Sequence, residues 1–303
     1  MELHSQTILR SLIEERAPWF FSHSPGPAMA RAILRPLLSY DRTLATLERL
    51  RPLDGDDIFS VMGRQLAQHV HTHNLRKLPA SGPCLIVCNH PTGIADGIIL
   101  HDALAQVRPD MYFFANRDVL RVLPQLDSKI APVEWRPERR SHQSMREVME
   151  FVRKAVAAER VGIIFPSGRL AKRRGFKLHE RPWMASAAML ARRFHLPVVP
   201  VHIAARNSAL FYLLDLIHPT LRDITLFHET LNKNRFRFDI TVGDPIPADS
   251  LATNSGAAIT QLKAACESLA PRMTGSTAAT LTPPWGLGLG NARKVRPLER
   301  QSS

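Results

Sequence analysis

His90 and Asp96 are residues whose types and setting could do chemistry together. They lie in the stretch Cys84 to Gly97, C-L-I-V-C-N-H-P-T-G-I-A-D-G. A histidine that gives one ring nitrogen to a carboxylate keeps the other free to take a proton from a hydroxyl. The carboxylate fixes the tautomer and stabilises the imidazolium that forms. On one continuous helix a separation of six positions is about 600° of rotation, which would send the two side chains to different faces. The pair therefore needs a chain reversal at Pro91-Thr92-Gly93, with His90 at the end of a strand and Asp96 in the first turn of the next helix. The plainer alternative is a hydrogen-bonded loop histidine and an aspartate that serves only the helix dipole.

The elements that would position the pair are legible on both sides of it. Cys84 to Cys88 form a short apolar run between Gly82-Pro83 and Asn89 to Gly93, the pattern of a buried strand. From about Leu78 strands alternate with helices, which predicts an α/β fold with a central sheet of mixed strands flanked by helices. Expected strands are 84–88, 111–115, 161–165 and 198–203. Expected helices are 95–107, 141–158, 182–194 and a closing one over roughly 250–269. Residues 235–242, R-F-R-F-D-I-T-V, alternate cleanly and read as a half-exposed strand toward a sheet edge.

Residues 1–75 read as N-terminal amphipathic helices. Leu3, Ile8, Leu9, Leu12 and Ile13 recur at helical spacing, followed by Trp19-Phe20-Phe21 and a break at Ser24-Pro25-Gly26-Pro27. A second helical stretch starts near Ala28, mixes Met29, Ile33, Leu34, Leu37 and Leu38 with arginines, and should kink at Pro36. Such a region suits a membrane interface or a helical pair packed on the catalytic domain. Residues 76–270 make that domain, and 271–303 a disordered basic tail without periodicity.

In open α/β sheets ligands gather beyond the carboxyl ends of strands. Four such ends are Asn89-His90 with Asp96, F-A-N-R ending at Arg117, F-P-S-G-R-L-A-K-R-R from Phe165 to Arg174, and V-V-P-V-H from Val198 to His202. Arg169, Lys172, Arg173, Arg174 and Lys177 place five basic residues within nine positions. That is either a solvated charge run or a surface for anionic headgroups. Cys88, inside an apolar strand, reads as packing rather than as a nucleophile. His101-Asp102 reads as surface, because adjacent helical residues do not face each other.

Forty Lys and Arg against 27 Asp and Glu give a formal charge of +13 over 303 residues, which calls for anionic partners. Cys84, Cys88 and Cys266 lack disulfide or zinc spacing, so a reducing, cytoplasmic setting and no metal are expected. Neither a secretory leader nor an uninterrupted apolar run of about 18 residues is apparent, so any membrane contact is peripheral or monotopic. A basic nucleic-acid-binding protein is a rival reading. It lacks a recognition-helix motif or aromatic stacking platform, so no nucleic-acid partner is expected.

The ordered series N-H-P-T-G-I-A-D, F-A-N-R, F-P-S-G-R and V-V-P-V resembles the four blocks of the PlsC-like lysophospholipid and glycerol-phosphate acyltransferases, over roughly residues 76–248. The family usually leaves four residues between its His and Asp, whereas five stand here. Its third block usually reads Phe-Pro-Glu-Gly-Thr-Arg, whereas Ser167, Arg169 and Leu170 occupy the Glu, Thr and Arg positions. Met111 stands where the second block has a leading Gly. With R-N-S-A-L-F-Y-L-L from Arg206 and H-P-T-L-R from His218, the chain is similar to a bacterial branch that includes lyso-ornithine lipid and hemolysin-like acyltransferases.

The resemblance implies a glycerol-phosphate acyltransferase-like fold, with 76–270 as the acyltransferase domain on the cytoplasmic side of an anionic membrane surface. His90 and Asp96 would be catalytic, and Arg117, Ser167, Gly168 and Arg169 would bind the acceptor. Asn89, Thr92, Gly93, Phe165, Pro166 and Pro200 would support them. The acceptor would be a lysolipid such as 1-acylglycerol-3-phosphate, with lyso-ornithine lipid as the alternative. The donor would be an acyl thioester on coenzyme A or acyl carrier protein, with no bound cofactor. Backbone N–H groups of the Pro91 to Gly93 turn or of the following helix start would hold the oxyanion. A thioester hydrolase using the same pair is the remaining alternative.

Overall fold

Short apolar runs and amphipathic stretches organise the chain around one mixed sheet. The structure, a computed structural model, describes residues 2–16, 18, 39–134, 141–174, 177–217 and 219–271. In chain order the elements are α1 (Glu2–Arg16), α2 (Tyr40–Leu50), α3 (Gly55–Leu66), β1 (Val70–His73), β2 (Cys84–Cys88), α4 (Ile94–Leu104), β3 (Met111–Asn116) and α5 (Asp118–Val122). There follow β4 (Ile130–Val133), α6 (His142–Ala157), β5 (Val161–Ile164), β6 (Lys172–Arg174), β7 (Lys177–His179), α7 (Ser186–Arg193) and β8 (Val198–Ala204). The last are α8 (Ala209–Ile217), α9 (Pro219–Ile224), α10 (Leu226–Leu231), β9 (Phe238–Val242) and α11 (Ser255–Ser268).

Seven strands form one sheet in the order β1-β9-β8-β2-β5-β3-β4, while β6 and β7 make a separate antiparallel hairpin. Among the described strands of the large sheet, β8 and β9 pair antiparallel and the other neighbours pair in parallel, so β1 and β9 run against the other five strands. β2 lies between β5 and β8 and is buried along its whole length. Cys84, Ile86 and Cys88 pack toward α3 and α4, whereas Leu85 and Val87 pack toward α7 and α11. A strand covered on both faces has no polar side to show, which explains the unbroken C-L-I-V-C run.

The expected strands and helices are present with small shifts at their ends. Of the expected strand 235–242, Phe238–Val242 forms a strand, one in from the edge, because Val70–His73 pairs in parallel with Phe238–Thr241 and takes the edge position itself. V-H-T-H carries one apolar residue and is mostly exposed, so no periodicity announces it within what reads as a helical region. β4, I-A-P-V, is four residues long and has no polar–apolar alternation to announce it. It is the other edge strand, and Pro132 is tolerated there because an edge leaves one side of the ladder unpaired.

The apolar faces of the first helices pack on protein. Leu9 and Ile13 of α1, Leu44 of α2 and Ile224 of α9 form one cluster. Residues 2–16 and 40–50 thus pack against α9, an arrangement compatible with either role expected for this region. The aromatic cluster at 19–21, the break at 24–27, the stretch 28–38 with Pro36, and the tail from 272 onward lie outside the described residues.

Candidate active site

The chain leaves β2 at the centre of the sheet, and its next residue fastens the strand end in place. Asn89 Nδ2 donates to the Ile203 carbonyl at 2.8 Å and Asn89 Oδ1 accepts from the Ile203 N–H at 2.7 Å, so an amide side chain continues the β2–β8 ladder. His90 follows, and the reversal comes at Gly93, whose φ of 102° is open to glycine and strained for other residues. A Cβ there would also come within 3.1 Å of Leu170. α4 starts at once, which turns Asp96 back toward the strand end.

His90 Nδ1 lies 2.9 Å from Asp96 Oδ2. The five-residue gap thus still closes the pair. Asp96 is completely buried, a costly position for a carboxylate unless donors surround it. Oδ2 also accepts from Thr92 N at 2.9 Å and Gly93 N at 3.0 Å, and Oδ1 accepts from the Thr92 hydroxyl. With Nδ1 engaged, Nε2 is the ring nitrogen left for a substrate proton. The Phe165 ring stacks on the imidazole at 4.3 Å between centroids.

These bonds correct one expectation. The N–H groups of Thr92 and Gly93 are directed at the Asp96 carboxylate and cannot also serve an oxyanion, and Pro91 has none. Of the two places considered, the helix start is the one left, at Ile94 and Ala95.

The His90 peptide is clamped from both sides by the base of the β6–β7 hairpin. Ala171 N donates to His90 O at 3.0 Å, and His90 N donates to Glu180 Oε2 at 3.3 Å. Burial pushes the Glu180 carboxyl up, partly offset by the His90 N–H. The basic run of Lys172, Arg173, Arg174 and Lys177 thus has its backbone on a hairpin next to His90, while its side chains lie outside the described residues. Sequence reasoning missed Glu180, because nothing local distinguishes H-E-R-P-W from an exposed loop.

The other expected site residues divide. Gly168, at φ 58°, closes a turn by donating to Phe165 O at 2.9 Å. Ser167 is buried and its hydroxyl donates to Arg169 O at 2.8 Å, so it braces this turn; the Arg169 side chain is exposed. Pro166 O accepts from Met184 N at 2.9 Å. Arg117 follows β3 as expected, but its guanidinium is paired with Glu147 of α6. Pro200 lies within β8 opposite Val87, with its carbonyl bonded to Gly243 N at 2.8 Å, and acts through the sheet.

A second buried layer stands behind Asp96. Lys233 and Glu229 are both fully buried and pair at 2.9 Å. Lys233 also reaches Asn232 Oδ1 at 3.1 Å and sits over the Phe236 ring. Burial pulls the Lys233 ammonium below its ordinary value against the opposing fields of Glu229 and Asp96. Glu229 in turn accepts from the N–H of Ser208 at 2.9 Å and from its hydroxyl. Glu229 lies on α10 and Lys233 two residues past its end, in a 3-10 turn, so the pair closes across the end of the helix.

His101 is buried, not on the surface, and stacks on Phe59 at 4.5 Å. Burial, with help from Lys129, brings its pKa down from 6.5 to about 4. Cys88 is packing as read. Burial holds its thiol well above its usual value and keeps it protonated.

The profile of the family described as Acyltransferase matches residues 69–204, a span that contains β2, the His90–Asp96 turn, β5 and the third block. The chain is similar to a lyso-glycine lipid O-acyltransferase of Phocaeicola vulgatus, 26% identical over 73% of this chain and 80% of that protein. It is also similar to a protein of the same name from Bacteroides thetaiotaomicron, 23% identical over 78% of this chain and 86% of the other. Among solved structures it is similar to the 1-acyl-sn-glycerophosphate (LPA) acyltransferase PlsC from Thermotoga maritima, with 14% identity and a TM-score of 0.43 over 70% of this chain and 78% of that one. The imidazole–carboxylate pair at the end of the central strand lies inside the span, residues 69–204, that the Acyltransferase family profile matches.

Proposed function

We propose that this protein is a lysolipid O-acyltransferase that moves a fatty acyl group from an acyl-CoA or acyl-carrier-protein thioester to an acceptor hydroxyl by direct attack. The observation that carries the reading is His90 Nδ1 held 2.9 Å from a fully buried Asp96 at the strand end. His90 Nε2 takes the hydroxyl proton as the oxygen attacks the thioester carbonyl. The tetrahedral oxyanion collapses, the carbon–sulfur bond breaks, and the departing thiolate recovers the proton from the imidazolium. Asp96 stabilises that imidazolium, and the N–H groups of Ile94 and Ala95 receive the oxyanion. No cofactor takes part. Holding the two reactants together supplies roughly 7–11 kcal/mol in well-oriented cases.

The acceptor is a lysolipid with an amino-acid headgroup, of the lyso-ornithine or lyso-glycine kind, in preference to 1-acylglycerol-3-phosphate. Two similar proteins are lyso-glycine lipid O-acyltransferases. In addition, Ser167 is tied to its own turn and Arg117 to Glu147. Arg169 is exposed and supplies a bidentate partner for a headgroup carboxylate. The enzyme works as a peripheral protein on an anionic membrane surface, from the cytoplasmic side.

The test is thiol release from a long-chain acyl thioester with lyso-glycine lipid, lyso-ornithine lipid, lysophosphatidate or a neutral lysolipid. Release that depends on an amino-acid lysolipid, and that His90→Ala abolishes without unfolding, is the expected result. Acceptor-independent release means a hydrolase. Preference for lysophosphatidate overturns the headgroup assignment, and near-normal transfer by His90→Ala overturns the base.

A further inference from the structure

Helix α8, A-L-F-Y-L-L-D-L-I, is apolar almost all round, yet the described residues cover only one side of it. Phe211, Tyr212 and Leu214 are buried, while Leu213, Leu216 and Ile217 are 55%, 82% and 64% exposed. At about 100° per residue, Ala209, Leu213, Leu216 and Ile217 fall within an arc of roughly 100°, one continuous stripe. A helix that is hydrophobic on every side belongs in a core or against lipid, and no other described element covers this stripe.

The single charged residue of the helix has been turned away from it. Asp215 is 13% exposed and pairs with Arg222, itself 18% exposed, at 3.0 Å. The stripe therefore carries no negative charge. Its approach is cationic, since Arg206, three residues before α8, is exposed, and the chain as a whole carries +13. Such a combination suits an anionic bilayer, where acyl tails accept the leucines and headgroups the arginine. Nine residues span too little to cross a bilayer, and no helix among the described residues is long and apolar enough to do so, so the helix lies in the interface plane.

We infer that the Leu213–Leu216–Ile217 face of α8 is the element through which this protein docks on anionic lipid, resting on the reading of the chain as an enzyme of lipid acceptors. The helix is wired to the site. Ser208, which donates to Glu229, also caps α8 through Phe211 N at 3.3 Å. Glu229 holds Lys233, which feels the charge of Asp96. Docking through α8 therefore holds the active site at the membrane surface, where lysolipid acceptors reside.

The experiment is sedimentation of the full chain with vesicles of equal parts phosphatidylglycerol and phosphatidylcholine. The Leu213→Ser/Leu216→Ser/Ile217→Ser variant should lose at least about a hundredfold in partition, each exposed side chain being worth roughly tenfold. Turnover of a short-chain, monodisperse thioester and lysolipid should not change. Equal partition of variant and wild type overturns the docking face. So does a wild type that forms dimers which the variant loses while vesicle binding persists, which would make the stripe a contact between copies. A wild type that turns over soluble substrates but ignores vesicles sinks the docking and spares acyl transfer. Lost partition in a chain with no transfer to any acceptor does the reverse. As a check independent of the triple variant's folding, Leu216→Cys carries a solvatochromic dye, the native cysteines being buried. Its emission should shift to the blue on vesicles, and an unchanged spectrum overturns the proposal.

Discussion

Replacing Asp96 separates its two duties, orienting the active-site turn and supplying charge. Its Oδ2 accepts three N–H donors and Oδ1 one hydroxyl. Asn has the same shape. Its amide oxygen can replace Oδ2 toward His90, Thr92 N and Gly93 N, and its NH2 can donate to the Thr92 oxygen, so Asp96→Asn keeps the turn. The negative charge is lost. A full charge about 4 Å from the imidazolium at an effective dielectric near 20 is worth about 4 kcal/mol, or roughly three orders of magnitude in rate. Asp96→Ala instead strands the two backbone N–H groups at about 1–3 kcal/mol each, so it loses stability as well as activity. The assay is the initial rate of thiol release at saturating acceptor, paired with thermal melting of each variant. Asp96→Asn should melt close to wild type and turn over about a thousandfold more slowly, whereas Asp96→Ala should melt at a clearly lower temperature. Asp96→Asn retaining more than about a tenth of the wild-type rate would refute the argument that the charge stabilises the transition state.

Glu180→Gln keeps an acceptor for His90 N and should hold activity within several-fold, whereas Glu180→Leu orphans that N–H at about 1–3 kcal/mol and should impair both melting and turnover; equal behaviour of the two would remove the clamp from the account. Lys233→Met leaves Glu229 buried and uncompensated and should cost about 3–5 kcal/mol in urea unfolding, much of it recovered by adding Glu229→Leu. His101 stays neutral in the folded state down to about 4, while the unfolded chain takes up a proton near 6.5. Its contribution is therefore fully present above pH 6.5 and falls as pH drops toward 4, by about 3 kcal/mol. Urea midpoints measured across that window should show less loss in His101→Phe than in wild type, and parallel curves would disprove the assignment.

The pH-dependent His101 and the buried Lys233–Glu229 pair share a cause. Each is a polar side chain placed inside a core that the sequence presents as apolar. His101 falls on the buried face of α4 beside Phe59, and Lys233 and Glu229 are enclosed where the chain after β8 folds over the start of α4. Such groups cost desolvation and persist where partners or neutrality offset it.

The sequence by itself determined the central strand and the site at its end. C-L-I-V-C between turn residues reads as a buried strand, and Pro91 and Gly93 just beyond it permit the reversal that joins His90 to Asp96. The blocks at 111–117, 161–169 and 198–202 were legible for the same reason, since apolar periodicity is a local property written in neighbouring residues. Tertiary structure alone decided the partners of the polar groups. It returned Glu180 along a hairpin to the His90 peptide, tied Arg117 to Glu147, and set Val70–His73 at the sheet edge. A hydrogen bond or ion pair depends on which distant segment arrives within about 3 Å, and no short-range pattern encodes that.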